Sequence, residues 1–427
     1  MLVKLAYGDS GLDVELPDGA VVLQPERATP LADPSRAVAE AIASPLGSPP
    51  LRELVRPDDS VAIVVSDITR PVPNRLLLPP ILEALHDAGV SRDRVVLVIG
   101  TGMHRPTTPD EVRRILGDDI ASRYEVVDHD ARDTSTLARV TTTSRGVEVL
   151  VNRRYLEADV RIVTGFVEPH LFAGYSGGGK GIVPGVAGAA IVMSNHGADM
   201  LAHPKATWCV TEGNPIFEEQ RDLALLTRPS FAVNVTLNER RELTGVFAGE
   251  LVAVHEAGIA QAERQYVRAI AHLFDIVVST NMGYPADLNL YQSVKGISVG
   301  AQGVRDGGAI VLVAECREGL GLAGYIELLT SEASPGALLE RIAAPGFATR
   351  YDQWQVQVQA MVQGKADVWL HSSLSREATE SAHLRYSEDL AATVEALRRR
   401  HLADNGGEPA ILALPHGQLT VPRLAQR

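Results

Sequence analysis

The chain has 427 residues, which at roughly 150 per domain gives two or three domains and enough apolar material for sizeable cores. Its 40 Lys+Arg against 53 Asp+Glu leave a formal charge of −13, so no global positive field exists to attract nucleic acid or an anionic membrane. With 45% hydrophobic and 22% charged residues the composition is that of an ordinary globular protein, and two cysteines, Cys209 and Cys316, supply neither a disulfide framework nor a cysteine-rich metal site.

The opening MLVKLAYGDSGLDVELPDG meets charge and glycine too early for a signal peptide, and no run of about 18 apolar residues follows, so a cytoplasmic protein is expected. Short β-segments (LVKLAYG, LDVELPDG, AVVLQPE) lead to a helix near 37–44. An α/β rhythm then sets in: strand 61–67, helix 76–88, strand 95–100, a helix opening at Pro109, and strand 124–130. A hairpin over 138–151 and a core strand over 158–167 follow, then an antiparallel pair within 229–250 and a helix over 252–270. A second series begins at 274, with strands 274–280, 309–313, 366–370 and 410–413 and helices 288–300, 335–342, 352–363 and 387–401. The last dozen residues read equally as a packed tail or a loose end. The expected fold class is therefore α/β, in two domains (1–270 and 271–427), each a mostly parallel sheet flanked by helices, with the active site in the cleft between them.

Ligands of open α/β sheets gather at the carboxyl ends of strands. Three peculiarities fall there. SDITRPVPN (66–74) presents Asp67, Thr69 and Arg70 in a turn stiffened by prolines, suited to offering a guanidinium to phosphate or carboxylate. The plainer alternative is a capped helix start with a surface ion pair. GTGMHRP (100–106) begins a GxGxxG pattern but carries Arg105 at its sixth position, an incomplete dinucleotide fingerprint. His104 in that turn is, by itself, as ordinary as any loop histidine.

The third is EPHLFAGYSGGGKGIVPG (168–185), in the glycine-dense stretch between residues 165 and 188. Gly174 to Lys180 has P-loop spacing, but Gly181 stands where Ser or Thr should bind Mg²⁺, and Pro184 with further glycines opposes the helix a P-loop needs. A glycine loop containing Ser176, Gly177 and Gly178 still implies close backbone approach, often to a phosphate held by N–H groups. His170 lies on the same excursion, and SNHGADM (194–200) adds His196. Their spacing defines no local metal motif. Near 284–296, Tyr291, Gln292 and Lys295 share a helix face suited to a carboxylate, or equally to solvent. Trp354 is more often a domain-packing aromatic than a substrate wall.

Taken in order, DITRPVP, GTGMHRP, EPHLFAGYSGGGKGIVPG, SNH and LYQSVKG resemble the nickel-pincer-nucleotide 2-hydroxy acid racemases, the lactate racemase family, over nearly the whole chain. The resemblance implies a racemase or epimerase inverting C2 of a 2-hydroxy acid, lactate or a larger one. It also implies a pyridinium-3,5-bisthiocarboxylic acid mononucleotide carrying nickel, tethered through Lys180, with His196 as the nickel ligand. His104 and His170 would be the acid/base pair. Asp67, Thr69, Arg70, Ser176, Gly177 and Gly178 would contact the cofactor, while Arg70, Tyr291, Gln292, Lys295 and Trp354 would face substrate. In that chemistry a histidine takes the hydroxyl proton as hydride leaves Cα, and return to the opposite face inverts the centre. Implied partners are the small hydroxy acid and the cofactor-maturation enzymes, with no nucleic acid or membrane and a homodimer as one option. The competing readings are an NAD-type 2-hydroxy acid dehydrogenase and a non-catalytic nucleotide- or anion-binding homologue.

Overall fold

The computed structural model describes residues 1–425. The chain divides into two compact units, residues 27–196 with 203–265, and residues 1–26 and 197–202 with 266–427. Among the described residues no helix is long and apolar enough to cross a membrane.

The first unit is built on a six-stranded sheet in the order Leu243–Gly249, Phe231–Leu237, Val160–Phe166, Val61–Ser66, Val95–Gly100, Glu125–Asp128. Every pairing is parallel except the outer pair of Phe231–Leu237 with Leu243–Gly249. The apolar run Val61–Val65 is explained by burial on both faces. Val61, Ile63 and Val65 pack with Val38, Leu77 and Ile81 of the helices Pro34–Ala43 and Asn74–Asp87. Ala62 and Val64 enter a second core with Val149, Val151, Ile182 and Ile191. From Val61–Ser66 the chain advances outward to Glu125–Asp128, then returns to place Val160–Phe166 on the opposite side of Val61–Ser66. That reversal opens a crevice between the carboxyl ends of these two strands, the topological switch point where ligands settle in such sheets.

The second unit carries a wholly parallel six-stranded sheet in the order Arg385–Tyr386, Asp367–His371, Val304–Val313, Phe274–Thr280, Ile411–Leu414, Val21–Val22. Its edge strand comes from the start of the chain, which differs from the sequence-based grouping of residues 1–270. Val21 and Val22 pair with Leu412 and Ala413, and the hairpin Leu2–Leu5/Leu12–Glu15 buries Val3, Leu5, Val14 and Leu16 against Ile276 and Val278. Two-residue strands and short hairpins carry little periodicity, so the sequence does not reveal where they dock.

Other boundaries move for similar reasons. The helix expected over 252–270 ends at Tyr266, because Val267–Ile270 pairs in parallel with Val421–Leu424, which makes the tail a strand. The strand expected at 309 begins at Val304. The helix Pro215–Leu226 escapes the sequence reading although its start signals are present: Asn214 accepts hydrogen bonds from the amides of Ile216 and Phe217, and proline occupies the first turn.

Candidate active site

Three loops meet the carboxyl edge of the first sheet. Ser66 and Gly100 are directly paired, so the turns that follow them begin side by side. Asp67, buried, receives Nδ1–H of His104 on Oδ2 at 2.7 Å and the amide and hydroxyl of Thr69 on Oδ1 at 3.2 and 2.6 Å. Burial by itself would raise the Asp67 carboxyl; the hydrogen bond and charge of His104, helped by Thr69 and Arg70, outweigh it and hold the group below its usual range. Because Nδ1 of His104 is the donor, the neutral ring presents a lone pair at Nε2. Arg70 lies exposed in the same turn, its amide donating to the Asp67 carbonyl at 3.2 Å.

The glycine loop leaves Val160–Phe166 on the other side of the switch point. Gly178 donates its amide to Oδ1 of Asn234 at 2.7 Å. Its φ of +52° belongs to glycine, and a Cβ there would meet Nδ1 of His255 at 2.1 Å. Gly177, at φ +81°, would place a Cβ 2.7 Å from Asn234 Oδ1. Ser176 spends its hydroxyl on the backbone, donating to the Phe166 carbonyl at 3.0 Å and accepting from the Glu168 amide at 3.1 Å. Lys180 lies in one short 3-10 turn, Gly178–Gly181, and no α-helix follows until Ala189–Asn195, which separates the loop from a P-loop. The partial GxG is likewise spent on the chain itself. Gly102 donates to the Gly185 carbonyl at 2.9 Å, and a Cβ on Gly100 would lie 3.2 Å from the same oxygen.

Phe172 gathers the remaining residues. His170 and His196 meet its ring edge-to-face, with centroids 4.6 and 5.1 Å away, and Nζ of Lys180 stands 5.9 Å from its centroid. His170 accepts the Ala173 amide on Nδ1 at 3.2 Å, so its neutral ring carries the proton on Nε2. His196 does the opposite: Nδ1–H donates to the Val192 carbonyl at 3.0 Å, putting the lone pair at Nε2. Burial, then the Lys180 charge, push the His196 pKa down to about 3, so its imidazole is neutral. The sequence contains Phe172 inside the EPHLFAG segment, but nothing in local spacing marks it as a hub.

His255 is the second omission. It sits on the helix Leu251–Tyr266, bonds the Ser176 carbonyl through Nε2 at 2.9 Å, stacks on Phe217 at 5.5 Å, and is held by burial at a pKa of about 4. Only the three-dimensional approach of that helix to Gly178 identifies it.

In the second unit, Tyr291, Gln292 and Lys295 occupy the helix Leu290–Gly303, capped by Asn289, whose side chain accepts the Gln292 amide. Tyr291 donates its phenol to Asp352 at 2.8 Å; burial first, and then that carboxylate, raise its pKa far above the ordinary value. Trp354 packs edge-on against Tyr351 at 5.2 Å. Tyr291, Asp352, Tyr351 and Trp354 therefore form one polar and aromatic cluster within their own unit.

A lysine on a glycine loop, two histidines around one phenylalanine and a carboxylate–histidine pair at a switch point mark the candidate site in the first unit of a two-unit α/β protein. The Lactate racemase N-terminal domain model matches residues 7–209, and the Lactate racemase C-terminal domain model matches residues 270–419. The chain is 33% identical over 369 residues to a lactate racemase of Thermoanaerobacterium thermosaccharolyticum, covering 84% of this chain and 85% of the relative. It is 32% identical over 386 residues to a lactate racemase of Lactiplantibacillus plantarum, 89% of each. The solved structure of the lactate racemase apoprotein from T. thermosaccharolyticum superposes with a TM-score of 0.91 at 29% identity, over 99% of this chain and 100% of that one. The chain belongs to the lactate racemase family, a family of isomerases.

Proposed function

We propose that the protein inverts the C2 centre of a 2-hydroxy acid, with lactate the first candidate, using a nickel-pincer nucleotide tethered to Lys180. The observation that carries the reading is the meeting of His170, Lys180 and His196 on the ring of Phe172. The residues fit the cofactor through a lysine on a fixed loop and a neutral imidazole. The loop that bears Lys180 packs so closely on Asn234 and His255 that no Cβ is accommodated at Gly177 or Gly178. His196 is neutral, and the Nδ1–H bond to Val192 fixes the tautomer that presents Nε2, as a metal-ligating imidazole requires. Lys180 would supply the tether and His196 the protein ligand. When bound, the group would supply an electron-poor acceptor for the Cα hydride.

The chain's own residues would handle the proton and the orientation. Nε2 of His104 accepts the substrate hydroxyl proton, and the resulting imidazolium is stabilised by Asp67 at 2.7 Å. His170 is the proposed acid/base partner for the other enantiomer, and its neutral ring rests with the proton on Nε2. Arg70 is offered to an anionic group, carboxylate or phosphate, with Lys295, Gln292, Tyr291 and Trp354 as proposed substrate-side residues. The dehydrogenase alternative loses its main support, because Gly100 and Gly102 approach Gly185 rather than leaving room for a pyrophosphate.

The reading is tested by producing the chain with cofactor-maturation enzymes, measuring the intact mass and nickel content, and assaying a panel of chiral 2-hydroxy acids by chiral chromatography. A Lys180 adduct, bound nickel and inversion of at least one acid are expected. Protein lacking both adduct and nickel, beside a control that matures, would overturn it.

A further inference from the structure

The helix Pro215–Leu226 touches both segments assigned to the cofactor. A Cβ on Gly179 would lie 3.0 Å from the Gln220 carbonyl, 3.1 Å from Cα of Arg221 and 3.2 Å from Cβ of Ala224, so the helix packs directly on the loop that bears Lys180. It also grips the segment that ends in His196. Asn195, fully buried, donates Nδ2 to Oε2 of Glu219 at 2.8 Å and accepts Nε2 of Gln220 on Oδ1 at 2.8 Å. Glu219 is held in turn by Nη2 of Arg145 at 2.7 and 2.8 Å, and Arg145 donates Nε and Nη2 to the Ser194 hydroxyl at 3.2 and 3.0 Å.

The ring of His196 depends on this clamp. Its Nδ1–H bond reaches back one turn to Val192, so the ring orientation is inherited from residues 192–196, the last turn of the helix Ala189–Asn195. An isolated helix of that length frays, and its final turn has no stability of its own. Arg145 and Glu219 fasten its Ser194 and Asn195 to the hairpin Leu137–Thr142/Glu148–Asn152 and to the helix Pro215–Leu226. The side chain of Glu219 is only 15% exposed, so its charged hydrogen bonds are partly shielded from water.

We propose that Glu219 is the positioning residue of His196. Held by Arg145, its carboxylate fixes the last turn and so aims the Nε2 lone pair. The inference rests on the proposed role of His196, and it gives the clamp a function that nothing else in the site requires.

The test compares wild type with Glu219→Ala, Glu219→Gln and Arg145→Gln. Arg145 is 39% exposed at a hairpin turn, so its variant keeps the fold available even if a change at Glu219 does not. Matured proteins are read by the Lys180 adduct mass and by the rate of nickel release into excess chelator. Apoproteins are read by long-range ¹H–¹⁵N spectra of the histidines, with His196 assigned through His196→Gln. Unchanged adduct yield is expected, with release faster by about 10- to 100-fold in Glu219→Ala. Glu219→Gln keeps an acceptor for Asn195 and should recover part of the loss. The His196 signal should pass from a single Nδ1–H tautomer in wild type to a mixture in Glu219→Ala and Arg145→Gln, while the other histidines stay unchanged. An unaltered His196 signal and release rate in both variants overturns the proposal, as does a general shift of all histidines with adduct and nickel lost together. Wild type that matures with neither adduct nor nickel defeats the proposed function instead, and the tautomer comparison then decides the inference alone.

Discussion

Nδ1 of His104 stands 2.7 Å from Oδ2 of Asp67, and the carboxylate receiving it is almost wholly buried. The pair fixes which imidazole nitrogen can accept a proton. Asp67→Asn keeps the size of the side chain but can present an N–H to Nδ1, which moves the ring proton to Nε2 and removes the proposed base. We expect kcat to fall by about 10³- to 10⁴-fold, with the Lys180 adduct retained, as such substitutions behave at histidine bases. Steady-state rates alongside intact mass check this, and a loss under tenfold would argue against His104 as the base.

The two histidines rest in opposite tautomers, His104 with its lone pair at Nε2 and His170 with its proton there, set by the Ala173 amide. With the roles proposed for them, the enantiomer whose hydroxyl faces His170 would wait for a rearrangement that the other does not need. Racemisation has an equilibrium constant of one, so kcat/KM is the same from either side; the asymmetry must appear as kcat and KM that differ between enantiomers in compensating fashion. Progress curves from each pure enantiomer measure it. Identical kcat and identical KM would contradict the assignment.

Gly178 offers a steric test of the cradle. In Gly178→Ala the new methyl would lie 2.1 Å from Nδ1 of His255, at a φ of +52°. We expect lower thermal stability and little or no adduct. His255→Ala removes the obstructing ring, so the double variant should recover part of the stability lost in Gly178→Ala, leaving a residual of about 1–2 kcal/mol for the left-handed backbone. Purely additive effects in calorimetry would show that the two residues do not meet.

His255 also sets a pH dependence. Its pKa falls from 6.5 to about 4 on folding because burial disfavours the imidazolium. Between those values the unfolded chain binds a proton that the folded chain refuses, so stability rises with pH; it is lost as pH falls from about 6.5 toward 4 and levels off below. Asp67 acts in a separate, more acidic window: its folded pKa is depressed, so its contribution is complete above the unfolded value near 3.8 and is lost as pH falls through the folded one. Urea unfolding of the apoprotein from pH 7 to 4 should show the first slope, and His255→Gln should make it shallower by about one proton.

Much of the first unit is legible in the sequence, since long apolar runs such as Val61–Val65 and Val95–Ile99 have no other use than a sheet buried on both faces. The loops bearing Asp67, His104 and Lys180 follow from those runs, because the carboxyl ends of strands are where ligands collect. Contacts made by distant segments are not legible. Phe172 is one aromatic among several until His170 and His196 turn their rings to it, and Asn234 is a polar residue in a strand until Gly178 donates to it. Glu219 is one acid among many in a segment whose helix the sequence does not reveal, and only its place beside Asn195 and Arg145 gives it a meaning.

The pairing of Val21–Val22 with Ile411–Leu414 bears on how the chain is made. Residues 27–265 contain every strand of their own sheet and can close it while the ribosome is still translating the rest. Val21 and Val22, translated earlier, have no strand to pair with until residues 411–414 emerge. The hairpin Leu2–Leu5/Leu12–Glu15 thus completes its packing late: a chain truncated before residue 411 would leave Val3, Leu5, Val14 and Leu16 without part of the core they cover.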